Sequence, residues 1–122
     1  MDGITMREHG EGAISVLSVR GELDVWSGPG LGDYLTVLSI VGRDRVVLDL
    51  GELRFCDAFG VGVLVHGVAG ARARNGWLRL AGANRQVSRV LVLSGAAGGL
   101  PMFASVADAV VGKQGGPRRM SL

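Results

Sequence analysis

The chain has 122 residues, of which 48% are hydrophobic and 20% are charged. This length holds one ordinary domain core, and the mean hydropathy of +0.34 is too high for a disordered chain. The formal net charge is +2. Without the three basic residues nearest the C-terminus (Lys113, Arg118 and Arg119) the charges nearly balance, which argues against a nucleic-acid partner.

Cysteine content and the apolar segments indicate the compartment. A single cysteine, Cys56, excludes an internal disulfide and fits a reducing compartment. The first residues do not have the basic and then apolar pattern of a signal peptide, and the most apolar window, 59–71, is too short to span a bilayer. We therefore expect a cytoplasmic protein that makes no membrane contact.

The N-terminal part of the chain predicts a β-hairpin. Residues 13–20 alternate between two faces and are rich in β-branched side chains, which is typical of a strand. Residues 4–9 form a weaker strand candidate, and the glycine-containing segment 10–12 joins the two as a turn.

A helix and a parallel strand are expected next. The helix begins near Ser27, a preferred N-cap residue, with Pro29 in its first turn. It ends near Gly42, which is a good helix stop. The β-branched run 45–50 then predicts a strand parallel to an earlier one, since a helix precedes it.

The centre of the chain predicts a loop at 51–57 followed by a helix at about 58–74. Asp57 is placed to be the N-cap of this helix, where its charge suits the positive helix end. Glycine is a poor helix former, so the glycines of this helix predict close packing of the helix against the sheet. These glycines are Gly60, Gly62, Gly67 and Gly70.

Short elements follow in the last third. We predict a strand at 77–81, a helix at 86–93, an extended piece at 101–103 and a helix at 105–111 capped by Ser105.

The resulting order, β-β-α-β-α-β-α-β-α, is typical of a single α/β domain with a small mixed sheet packed with helices. We place this domain at residues 1–111 and expect a disordered basic tail at 112–122.

Cofactor motifs are incomplete. Gly60 and Gly62 follow a strand and open a helix, but the third glycine of a dinucleotide fingerprint is replaced by Val65. The only lysine, Lys113, lies in the tail, so no Walker lysine exists. We therefore expect no cofactor.

The sequence gives equally little support for a metal site or a hydrolytic active site. The soft ligands Cys56, His9 and His66 do not have zinc-ligand spacing, and no Gly-x-Ser-x-Gly elbow occurs. Three aspartates could converge as catalytic carboxylates, but two caps or turn residues and one solvated residue at a strand end explain them more simply: Asp24, Asp49 and Asp57. We expect neither a bound metal nor enzymatic activity.

The segment around Asp57 is the most unusual feature that remains. It delivers an acid, the small Ala58 and the aromatic Phe59 to the start of a glycine-spaced helix. Functional residues often lie on loops held by a rigid sheet. Phe59 is either a core residue or, if exposed, an anchor for a partner.

Several segments, in this order, resemble the bacterial anti-sigma-factor antagonists, which are STAS domains. The similarity spans about residues 4–111, and its most specific part is the strand–loop–Asp–x–x–Gly–x–Gly–helix element. The matching segments are Gly21–Asp24, Val47–Leu50, Phe55–Gly62, Asn75–Leu80, Val87–Leu91 and Leu100–Phe103.

The resemblance implies a non-enzymatic regulator that binds an anti-sigma factor of the serine-kinase type and so releases a sigma factor. By motif match, the family's partner-binding surface corresponds to Asp24, Asp57, Gly60 and Gly62 in this chain. Ala58 and Phe59 occupy positions of that surface but do not match the family's residue types.

The family's phosphoacceptor serine corresponds to Ala58, which has no hydroxyl. Because a phosphate adds negative charge and acceptor oxygens at the interface, its absence predicts that the usual off-switch is missing.

Three interpretations stay open. The protein binds its partner constitutively, it has changed partner with Phe59 as an apolar contact, or it is regulated elsewhere, for example at Ser27. Two alternatives to the regulator also remain: a scaffold module of a stress-signalling assembly and a small-ligand-binding STAS domain.

Overall fold

The computed structural model describes residues 3–113. The strands of this part of the chain are β1 (Ile4–Glu11), β2 (Ile14–Leu23), β3 (Arg45–Cys56), β4 (Trp77–Ala81) and β5 (Met102–Phe103). Its α-helices are α1 (Gly28–Ile40), α2 (Ala58–Ala73), α3 (Arg85–Leu93) and α4 (Val106–Val111), and a short 3-10 turn covers Ala97–Gly99. From residue 114 onward, the tail predicted at 112–122 lies outside the described residues.

The strands lie side by side in chain order, β1-β2-β3-β4-β5. β1 and β2 form an antiparallel hairpin, whereas β3, β4 and β5 each pair in parallel with the strand before them. Parallel neighbours need a crossover connection, and α1, α2 and α3 supply these crossovers. The predicted element order and fold class are confirmed.

The two faces of the sheet are covered unequally. Leucines that point to one face, such as Leu17, Leu48 and Leu80, pack with Leu31 of α1 and with residues of α2 and α3 in the main core. The opposite face has a smaller cluster of Val16, Val47, Ala81 and Ala109, the last from α4. Alternate residues of a strand point to opposite faces, so each strand contributes to both clusters.

The prediction of a loop at 51–57 was wrong for most of that segment. β3 continues to Cys56 and pairs with an equally extended β2, so that Cys56 lies opposite Leu23. The register between these strands shifts twice, between Ser18 and Arg20 and between Gly21 and Glu22. Such irregularities break the alternation of apolar and polar residues, which explains why the sequence pattern concealed the strand.

Ser27 occupies the expected N-cap position of α1, but the predicted role of its side chain was wrong. The hydroxyl donates a hydrogen bond backward to the carbonyl oxygen of Glu22 at 2.7 Å instead of accepting one from the first turn of α1. Ser27 therefore fixes the loop between β2 and α1. In contrast, Ser105 caps α4 as predicted, since its hydroxyl accepts from the backbone N–H of Asp108 at 3.1 Å.

Within residues 3–113, no helix combines the length and apolar character that crossing a membrane would require.

Candidate functional site

Asp57 directly follows β3 and caps α2. Its backbone is extended, and its Oδ1 accepts a hydrogen bond from the backbone N–H of Gly60 at 2.9 Å. Its own N–H donates to the carbonyl oxygen of Leu23 at 3.2 Å, which joins the start of α2 to the end of β2. The predicted capping role of Asp57 is confirmed.

Asp24 follows β2 and organises the next loop. Its Oδ1 accepts from the backbone N–H groups of Trp26 at 2.9 Å and Ser27 at 3.0 Å, while its own N–H donates to Ser27 Oγ at 3.1 Å. The bond from the Ser27 N–H is the main reason that the pKa of Asp24 lies below its ordinary value. The carboxylate therefore holds the loop in one shape, with Trp26 at its tip.

The two loops lie next to each other because β2 and β3 are parallel neighbours that end together. Leu23 and Cys56 are register partners, and Asp24 and Asp57 are the residues that follow them. We call the segments 24–27 and 55–62 the carboxyl edge, after the end of the sheet at which they lie. The structure thus brings the six sequence-predicted site residues to one end of the sheet.

Exposure differs among the six residues. Ala58, Phe59 and Gly62 are exposed, Asp24 and Asp57 are half-buried, and Gly60 is buried. Phe59 is neither a buried core residue nor a fully exposed anchor. The residue is 44% exposed, and its ring packs against Gly28 of α1. A Cβ at Gly28 would lie 2.7 Å from Phe59 Cε1.

Sequence reasoning missed an exposed tryptophan at this edge. Trp26 is 76% exposed, and Val25 and Phe55 are also exposed beside it in the two segments. The sequence offered only an indirect signal, namely that Trp26 belongs to no helical or strand period that would bury it. Large aromatic side chains are frequent anchors at protein interfaces.

The glycines of α2 divide into two groups. Gly60 and Gly67 allow close packing, as predicted: a Cβ at Gly60 would lie 2.6 Å from the Leu23 carbonyl oxygen, and one at Gly67 would lie 3.0 Å from Leu78 Cδ2. The packing prediction was wrong for Gly62, whose Cβ would find open space within 4 Å among the described residues, and for Gly70, which meets only Arg74 of its own helix.

Cys56 lies under Gly60 and is not a reactive thiol. The side chain is buried, and this burial, followed by the nearby charge of Asp57, raises the pKa of Cys56 to about 11. Since the thiolate is the nucleophile, Cys56 is a structural residue of the core.

Across residues 3–113, no group of three or more His, Cys, Asp or Glu side chains is arranged to hold a metal ion. The three aspartates considered as catalytic carboxylates each accept local hydrogen bonds, and Asp49 does so from the Gly51 N–H at 3.0 Å and more weakly from Ser18 Oγ at 3.4 Å. These contacts support Asp24 and Asp57 as turn and cap residues. The expectation of a solvated residue at a strand end was wrong for Asp49, which lies within β3 and is half-buried.

The fold is a small α/β domain with a five-stranded mixed sheet, and the candidate site lies at the carboxyl edge of that sheet. The family model described as "Mlab, STAS domain" matches residues 6–104. The chain therefore belongs to the STAS domain family, as the resemblance predicted.

Solved structures agree on the fold. A crystal structure of a putative anti-sigma factor antagonist from Thermotoga maritima superposes with a TM-score of 0.78 at 19% identity, covering 87% of this chain and 92% of that one. An anti-sigma factor antagonist from Mycobacterium paratuberculosis gives a TM-score of 0.75 at 22% identity, with 88% and 92% covered. Unphosphorylated SpoIIAA, an anti-sigma factor antagonist, gives 0.73 at 20% identity, with 87% and 93% covered. Among curated proteins, none matches the sequence significantly.

Proposed function

We propose that this STAS domain is a non-enzymatic, cytoplasmic regulator that binds an anti-sigma factor of the serine-kinase type and so releases a sigma factor. We further propose that it does so without the serine-phosphorylation off-switch. The observation that carries the proposal is the exposed Ala58 in the first turn of α2, directly after the Asp57 cap and in the middle of the carboxyl edge.

The chemistry of position 58 supports the missing switch. SpoIIAA, which shares this fold, has been solved in an unphosphorylated and a phosphorylated form. A phosphate carries about −1.5 to −2 charges and three strongly hydrated acceptor oxygens. Beside the carboxylate of Asp57 it would add like charge and keep water in the interface, but the methyl group of Ala58 cannot be phosphorylated.

Apolar contacts at the carboxyl edge would then provide the binding energy. Trp26, Phe55 and Phe59 are the exposed aromatic side chains of the two segments, and we propose Trp26 and Phe59 as the anchors. A few such residues usually carry most of the energy of an interface, so truncating Trp26 to alanine should weaken partner binding by roughly 2 kcal/mol or more.

The direct test places an acceptor or a charge at position 58. Since the residue is exposed at a helix N-terminus, where negative charge is favourable, Ala58→Ser and Ala58→Glu should both fold normally. Ala58→Gln is the neutral control of the same length as glutamate.

We expect wild-type protein and Ala58→Gln to capture a kinase-type anti-sigma factor from native cytosol, and Ala58→Glu to capture at least tenfold less. With this partner and ATP, intact-mass measurement should show one added phosphate on Ala58→Ser and none on the wild type. A stoichiometric phosphate on Ser27, the one hydroxyl residue of the two segments, in the wild-type protein would refute the missing switch. Equal capture by the glutamate and glutamine variants would refute the carboxyl edge as the interface.

A further inference from the structure

A groove of about 650 Å³ runs between α1 and α2. Residues 28–39 line one wall, residues 58–74 line the other, and Val46 and Leu78 of the sheet lie in the lining between them. Sixteen helical steps at 1.5 Å give the groove a length of about 24 Å. The volume lies within the range of small-molecule sites, which are concave, mostly apolar and largely preformed.

Glycines on both helices keep the groove open. A Cβ at Gly32 or at Gly62 would have no heavy atom of the described chain within 4 Å, apart from the backbone of its own helix. Both residues line the groove, and neither has the positive φ that would require glycine. Because neither residue has a side chain, the groove is unobstructed at these two positions.

At two other glycines of the same helices, close packing leaves no room for a side chain. A Cβ at Gly28 would clash with the Phe59 ring, and one at Gly67 would lie 3.0 Å from Leu78 Cδ2 and 3.2 Å from Leu35 Cδ1. These positions draw α1 and α2 together. Gly32 and Gly62 differ from them because they border empty space.

The chemistry of the lining changes along the groove. Phe59 lies at one end, and Leu35, Val63 and Ala71 provide apolar surface along the middle. The ionisable residues in the lining are Asp33, Arg43, Asp44, His66 and Arg74.

The end opposite Phe59 carries more positive than negative charge from the lining. Arg43 and Arg74 lie there with Asp44. Arg43 makes a long contact of 3.9 Å with Glu8, but Arg74 has no carboxylate within 4 Å among residues 3–113. An unpaired guanidinium is well suited to bind a carboxylate in a bidentate manner.

We propose that this groove binds a linear amphiphile with an anionic head, namely a medium- or long-chain carboxylate. The alkyl chain lies along the open glycine positions Gly32 and Gly62 toward Phe59, and the carboxylate is held by Arg74. This ligand site goes beyond the proposed regulator, although it shares Phe59 and Gly62 with the carboxyl edge, so an occupied groove would contact the partner-binding surface.

The test uses saturated carboxylates of 8, 10 and 12 carbons, titrated below their critical micelle concentrations into the full chain by calorimetry. Burying each added methylene should tighten binding by about two- to fourfold. Gly32→Leu and Gly62→Leu fill the groove and should weaken binding of the 12-carbon acid at least tenfold. Gly30→Leu is the matched control, because Gly30 lies in α1 with equally open surroundings but does not line the groove.

The head group is tested with the 12-carbon alcohol. Wild-type protein should prefer the carboxylate to the alcohol at least fivefold, and Arg74→Gln should remove that preference while still binding both. Absence of binding by the wild type, a chain-length series without a trend, or wild-type affinity in a folded Gly62→Leu variant would each overturn the proposal. Because these measurements use the protein alone, their failure would leave the proposed partner interaction untouched.

Discussion

At the scale of single residues, the negative charge of Asp24 stabilises the loop between β2 and α1. Its carboxylate accepts backbone hydrogen bonds from Ser27 and Trp26, and these bonds favour the ionised form. The pKa of Asp24 is therefore lower than its ordinary value of 3.8, with the Ser27 N–H as the largest cause. The stabilisation is fully present above 3.8 and is lost as the pH falls through the lower value of the folded protein.

A pH titration followed by NMR checks this prediction. The side-chain carboxyl carbon of Asp24 and the backbone amide of Ser27 should titrate together, with a midpoint below 3.8. The Ser27 amide should lose this titration in Asp24→Asn. A midpoint at or above 3.8 would show that the carboxylate is not held by these N–H groups.

Asp57 allows the capping bond to be separated from the negative charge. Asp57→Ala removes the acceptor for the Gly60 N–H and should lower the free energy of unfolding by about 1 kcal/mol. Asp57→Asn keeps an oxygen in that place and should retain most of this stability, because asparagine is an equally good N-cap. Urea unfolding of the three proteins measures both values, and an asparagine variant as unstable as the alanine variant would assign the effect to charge.

Caps such as Asp57 and Ser105 could be predicted from the sequence because their hydrogen bonds reach only three residues along the chain. Trp26 could not be recognised in this way. Its 76% exposure follows from the loop shape that Asp24 and Ser27 impose, and that shape depends on the Ser27 hydroxyl reaching back to the Glu22 carbonyl. The exposure of Trp26 therefore needed coordinates, whereas the sequence had already indicated Phe59 as a candidate anchor.

At the scale of elements, two glycines in the first turns of α2 should respond in opposite directions to the same substitution. Gly60→Ala forces a Cβ to within 2.6 Å of the Leu23 carbonyl oxygen and 2.9 Å of Cys56 Sγ, so it should destabilise the protein by roughly 1–3 kcal/mol. Gly62→Ala meets open space among the described residues and should stabilise it by about 0.5–1 kcal/mol, because alanine is the better helix former.

Thermal and urea unfolding of both variants beside the wild type check this pair. The comparison has an internal control, since both changes add one methyl group to the same helix. Destabilisation by Gly62→Ala would mean that the space beside α2 is already filled in solution.

The strand β3 shows the limit of pattern-based prediction for an element. Its first half, up to Leu50, follows the β-branched run that the sequence displays, and the parallel pairing with β2 agrees with the prediction. Its second half depends on two register shifts against β2, so its burial no longer alternates. A sequence rule that looks for apolar residues at every second position cannot detect a strand whose pairing with its neighbour contains register shifts.

At the scale of the whole molecule, the element order was sufficient to predict the fold class, because a helix between two strands supplies the crossover that parallel pairing needs. The sequence did not reveal which helices share a face of the sheet, and that arrangement creates the groove. With α1, α2 and α3 all on one face, α1 and α2 become neighbours whose glycines meet across open space. The second candidate site is therefore a property of the assembled layers and not of any one motif.

Among the described helices, only α4 covers the opposite face of the sheet. The C-terminal boundary of the proposed domain at residues 1–111 therefore depends on the contacts of α4. Ala109 of α4 is fully buried against Val16, Val47 and Ala81. Arg79 Nη1 donates to the Ala109 carbonyl oxygen at 2.8 Å, and Gly112 ends α4 in a left-handed conformation. These contacts, all among the residues that the structure describes, hold α4 on the sheet.

A chain that ends at Lys113 should therefore unfold at the same urea concentration as the full chain, within error. A chain that ends at Ala104 exposes the Val16 cluster and should lose roughly 2–4 kcal/mol, the value expected for one or two buried apolar side chains. Equilibrium unfolding followed by circular dichroism measures both. If ending the chain at Lys113 already lowered stability, residues beyond it would have to contribute to the fold, and the proposed boundary would move toward the C-terminus.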